Sequence, residues 1–145
     1  MNVPTKINVG RVLAGGCFAG VVLFSLAGVL NGAVLDDDFQ AWSRAMGALI
    51  HPQSPATSMV LWALMSFITG IAGVWIYAAI RPRFLAGPKT ALVAAVLVWV
   101  VSKLTVALDL FALGVLPSKI VIAQLVGSLV STALALLAGA ALYKE

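Results

Sequence analysis

Four apolar runs divide the chain, over residues 12–35, 59–80, 91–116 and 120–143. Each is closed at both ends by a charge or a proline: Arg11 and Asp36, Pro55 and Arg81, Lys89 and Pro117, Lys119 and Lys144. Crossing about 30 Å of hydrocarbon takes roughly 20 helical residues, since each advances about 1.5 Å and its backbone groups must be satisfied within the segment. The four runs therefore predict an all-α membrane protein, a single domain over residues 1–145 whose transmembrane helices form two antiparallel hairpins. The first run follows Lys6 and Arg11 and contains Ser25-Leu26-Ala27, features shared with cleaved leaders. Its apolar stretch continues to Leu35, beyond the usual length of a leader core, so it reads as a retained span.

Composition excludes a water-soluble fold. Charged residues make up 10% of the chain and hydrophobic ones 62%, where soluble domains have about 25% and roughly 45–50%. The net charge of +4 comes from Lys and Arg at the ends of the apolar runs. Such placement is the footing of a membrane face, not the clustered basic stripe of a nucleic-acid binder. With the N-terminus inside, Lys6, Arg11, Arg81, Arg83, Lys89 and Lys144 fall on the cytoplasmic side, against Arg44 and Lys119 outside. That asymmetry predicts cytoplasmic termini. The single cysteine, Cys17, lies within an apolar run and reads as a small hydrophobe.

The longest connection predicts a short amphipathic helix over about residues 37–50. Phe39, Trp42, Met46 and Leu49 recur at helical spacing, with Gln40, Ser43 and Arg44 on the other face. An Asp from Asp36-Asp37-Asp38 is expected to cap it and His51-Pro52 to stop it, with its aromatic face on the outer membrane surface or over the bundle's outer mouth. Arg81-Pro82-Arg83 is expected to end the second span, Pro88 to open the third, and Ser118 to cap the fourth.

Few residues suggest chemistry. No nucleophile elbow or HExxH spacing occurs, and no catalytic residue, metal site or cofactor is expected. Asp36, Asp37 and Asp38 with His51 have the chemistry for a hard cation, but helix capping explains the three acids more simply. Gly16, Gly20, Ala27 and Asn31 share one face of the first span. On the fourth, Gln124, Ser128, Ser131, Ala135 and Ala138 lie within a narrow arc flanked by Gly127 and Gly139. Small side chains let helices approach closely, either within one bundle or between copies.

Lys103 and Asp109 are the ionisable residues within a span. Ideal helical geometry sets Asp109 on the same face as Ser102 and Thr105, some 120° from Lys103. A polar seam is expected, with Asp109, Ser102 and Thr105 facing Gln124, Ser128 and Ser131, and Lys103 near the level of Ser128 and Ser131. It would serve either to order the bundle or as a path for a proton or ion.

Residues 76–91 (IYAAIRPRFLAGPKTA) together with residues 30–35 (LNGAVL) resemble small four-transmembrane-helix bacterial membrane proteins of no assigned function. The resemblance implies a bacterial cytoplasmic membrane and brings no functional residues with it. Two function classes follow. One is a non-enzymatic accessory or structural subunit, packing in the bilayer with copies of itself or with a larger complex. The other is a small transporter or channel with its path through the third and fourth helices around Lys103 and Asp109.

Overall fold

The computed structural model describes residues 7–47, 49 and 53–143. Lys6, Lys144 and the expected helix stop at His51-Pro52 lie outside the described residues. Six α-helices are found there: α1 (Val9–Val29), α2 (Asp36–Met46), α3 (Pro55–Phe84), α4 (Pro88–Trp99), α5 (Thr105–Ala112) and α6 (Ser118–Leu142). Two wide, π-helical turns interrupt the spans. Leu30–Val34 prolongs α1, and Val100–Leu104 joins α4 to α5. Four continuous rods, Val9–Val34, Pro55–Phe84, Pro88–Ala112 and Ser118–Leu142, are thus long and apolar enough to cross a membrane.

The rods end where backbone chemistry dictates. Asn8 starts α1 by accepting a hydrogen bond from the Arg11 N–H at 3.1 Å, and Ser54 starts α3 through the Thr57 N–H at 3.2 Å. Pro88 opens α4 at a position whose N–H would be unpaired in any case. The third rod stops at Ala112, short of the expected residue 116, because Gly114 turns left-handed (φ 64°). The N–H groups of Gly114 and Val115 then close back onto the carbonyls of Phe111 and Leu110.

Four further boundaries differ from those expected. Pro82 does not end the second span; α3 runs on to Phe84, since a proline in the last turn removes a single backbone bond. Leu85, in the left-handed region at φ 67°, follows it. Ser118 is the first residue of α6 and makes no capping bond. The short helix has Leu35 at its cap position, and the three aspartates occupy its first turn instead, where they complement the helix dipole. That helix stops at Met46, beside Gly47, so Leu49 is not part of its apolar face.

Packing is uneven along the rods. The core combines Val12, Ala19 and Leu23 of α1 with Val74 and Tyr77 of α3, Ala91, Ala94 and Val98 of α4, and Ala135 and Leu136 of α6. Most lie toward the end of the bundle that carries Arg11, Arg81, Arg83 and Lys89, called here the basic end, with Leu23 near the middle of its rod. At the far end Leu35, Ile120 and Val121 are buried, while Met59, Leu61, Trp62, Leu64 and Met65 of α3 are exposed. Apolar exposure of this kind suits lipid, whose tails are as apolar as leucine.

At the far end α2 lies against the connection between α5 and α6. The Trp42 indole N–H donates to the Val115 carbonyl at 2.9 Å, and Lys119 pairs with Asp38 at 2.8 Å. The face carrying Phe39, Trp42 and Met46 is the half-buried one, as its spacing requires.

Candidate functional site

Four polar side chains of the spans, Asn31, Trp99, Gln124 and Ser128, meet along the first half of α6, beside the two wide turns. Asn31, in the turn that prolongs α1, donates through Nδ2 to the Ala27 carbonyl at 2.8 Å and accepts from Gln124 Nε2 of α6. Leu30 beside it fills the notch at Gly127, where an added Cβ would lie 2.5 Å from Leu30 Cδ2. From the other side, the Trp99 indole N–H reaches Ser128 Oγ at 3.1 Å and the Leu125 carbonyl at 3.2 Å.

The expected seam between the third and fourth spans is therefore not what forms. Gln124 pairs with Asn31 of the first span, and Ser128 pairs with Trp99. Ser131 is buried and bonds to the Gly127 carbonyl of its own helix at 2.8 Å. Ser102 and Thr105 likewise bond back to Val98 and Val101 at 2.7 Å each. Asp109 is exposed and meets none of the residues expected opposite it.

The wide turn is the physical reason. In Val100–Leu104 the Thr105 N–H reaches back five residues to the Val100 carbonyl. The extra residue in that turn rotates everything beyond it by roughly 100° relative to an unbroken α-helix. Asp109, which an ideal helix would aim at α6, is thereby turned outward. The Thr105 hydroxyl then takes the Val101 carbonyl, which an α-helix would have given to the Thr105 N–H.

The two charges now differ in kind. Asp109 stands nine residues from the middle of the third rod, about 13.5 Å along the axis, which in a bilayer centred on that rod is the edge of a hydrocarbon core about 30 Å thick. At that depth headgroups and water would be within its reach. Lys103 stands three residues from the middle, about 4.5 Å, and is half-buried. Helical side chains lean toward the helix start, which carries Lys103 away from the nearer boundary. Among the described residues it makes no hydrogen bond and no ion pair.

The small residues are used inside the bundle. An added Cβ at Gly16 would lie 2.5 Å from Ile71 Cα, and one at Gly20 would lie 2.8 Å from Phe67 Cα, so α1 and α3 touch backbone to backbone. A Cβ added at Gly139 would lie 2.7 Å from the Gly15 carbonyl oxygen, and Ala135 is fully buried. Gly15, Gly70 and Gly73 complete these contacts and were not singled out in the sequence, although a glycine pair at helical spacing within an apolar run is the signal that marks them. Ala27 is half-buried. Among the acids, Asp38 is engaged by Lys119 and Asp36 accepts from Gln40 at 2.7 Å.

The two seams are separable by experiment. A double-mutant cycle on Asn31→Ala and Gln124→Ala should give a coupling of about 1 kcal/mol in reversible unfolding. The same cycle on Asp109→Ala and Gln124→Ala should give none, and a reversed order would contradict the pairing. Comparison with known proteins finds no matching family model, no similar curated protein and no similar solved structure.

Proposed function

We propose that the chain is a non-enzymatic subunit of a membrane assembly, with its third span turned to a partner at the level of Lys103. One observation carries this reading: an ammonium near the middle of a span has no counter-charge among the described residues. Translocon scales put such a charge at about 2.5–3.5 kcal/mol. An acidic or amide group from a neighbouring chain at that depth offsets the cost, whereas exposed leucines and valines need no such cover. A path for ions through the third and fourth spans is less well supported. Gln124 and Ser128, its expected lining, are engaged by Asn31 and Trp99, and Asp109 faces outward. Chemical crosslinking in intact membranes tests the assembly. A discrete heavier species is expected, and a chain that stays at its own mass contradicts the reading.

The same reading sets the basic end on the cytoplasmic side of a bacterial membrane, as the resemblance to small four-helix bacterial membrane proteins implies, with the spans paired as two antiparallel hairpins and α2 at the outer surface. Arg11, Arg81, Arg83 and Lys89 at one end supply the charge asymmetry that orients membrane proteins. On a Cys17→Ser background, Ala86→Cys should be labelled from the cytoplasm alone and Ser54→Cys from outside alone. Labelling of both from one side refutes the arrangement.

A further inference from the structure

At the basic end a cleft of about 180 Å³ opens between α3, α4 and α6, lined by Tyr77, Pro88, Ala91, Leu137, Ala140 and Ala141. The lining is almost wholly apolar, so the cleft has nothing to offer a free ion but suits hydrocarbon. Lys89 directly follows the lining residues Gly87 and Pro88, and Arg83 lies four residues before Gly87. Arg83 and Lys89 are exposed on either side of the connection over residues 85–87. The Thr90 hydroxyl bonds to the Leu85 carbonyl at 2.6 Å and to that of Phe84 at 3.1 Å, which holds this connection against the start of α4. Arg81 lies over the Tyr143 ring at 5.7 Å, and Tyr143 stands edge-on to Tyr77 at 6.1 Å, which adds a third cation behind the cleft wall. The described carboxylates, Asp36, Asp37, Asp38 and Asp109, all belong to the far end. None of them is near Arg83 or Lys89 in the fold.

We propose that the cleft seats an acyl chain of one anionic phospholipid, whose phosphate is held by Arg83 and Lys89. An apolar slot at a helix end, with two exposed cations close by in the chain, matches the two halves of such a lipid. A zwitterionic lipid would fill the slot equally but would gain less from these cations, because each basic side chain near an anionic surface contributes about 1 kcal/mol, or roughly five-fold in affinity.

Native mass spectrometry of the full chain, released from detergent micelles doped with phosphatidylglycerol or phosphatidylcholine, tests this. The wild-type chain should retain one phosphatidylglycerol in preference to phosphatidylcholine. R83Q/K89Q should lower that retention by about thirty-fold and abolish the preference. Ala141→Phe, which fills the cleft from an exposed position, should lower retention of both lipids alike. Equal retention of the two lipids by the wild-type chain overturns the proposal, as does retention that neither variant changes. Uptake of inorganic phosphate without lipid would assign Arg83 and Lys89 to a free anion and overturn it too. The wild-type comparison needs no variant to fold.

Discussion

Gly70→Val should be the most damaging single substitution in the bundle, lowering the stability of the reconstituted protein by about 3 kcal/mol or more. A Cβ at Gly70 would fall 2.5 Å from the Gly16 carbonyl oxygen and 2.6 Å from the Gly20 nitrogen. Both are main-chain atoms, so relief requires α1 and α3 to move apart along their length, not a change of rotamer. In lipid this matters more than in water, since helix association depends on close packing with little hydrophobic drive. Gly73→Ala should cost less, because a Cβ there meets only the flexible end of the Leu136 side chain. Gly28→Ala meets nothing within 4 Å and should be neutral or slightly stabilising. Reversible unfolding in detergent measures all three. Equal losses at Gly28 and Gly70 would show that α1 does not pack against α3 in this way.

Lys103→Met should separate stability from association. Within the isolated bundle it removes an unpaired charge near the centre of a span, so the variant should be at least as stable as the parent, by up to about 2–3 kcal/mol. In the membrane it removes the group that a partner would meet, and the assembly should be lost. A purely structural lysine would behave oppositely, because breaking a buried pair destabilises the fold itself. Asp109→Asn should change neither quantity appreciably, since at the boundary water and headgroups would serve Asp109. Thermal unfolding and crosslinking yield, measured on the same preparations, separate the cases.

Much of the architecture is legible in the sequence because length and hydropathy act over whole segments. Four runs of apolar residues lead to four rods whatever the details of their ends. The spacing of Phe39, Trp42 and Met46 marks the buried side of α2 for the same reason. Errors arise where one local choice resets everything beyond it. A turn of five residues at Val100–Leu104 leaves no mark in composition, yet it rotates Asp109 off the bundle and breaks the expected pairing with Gln124. Asn31 shares an ideal-helix face with the packing glycines, yet it pairs with Gln124 from the start of a second wide turn, Leu30–Val34. Gly114 was a readable stop signal for the third span, and Pro82 a misleading one for the second. A proline is tolerated in a last turn, while a left-handed glycine ends a helix outright.

The claim that this chain works as one part of a larger membrane assembly is tested most directly by the mass of the particle it forms in its own lipid. Extraction with a styrene–maleic acid copolymer, followed by light scattering corrected for lipid and polymer, gives that mass without exposing the bundle to detergent. The account predicts a protein mass above the 15.0 kDa of one chain, returning to one chain in Lys103→Met with unfolding behaviour preserved. A wild-type particle holding a single chain and no other protein would contradict it.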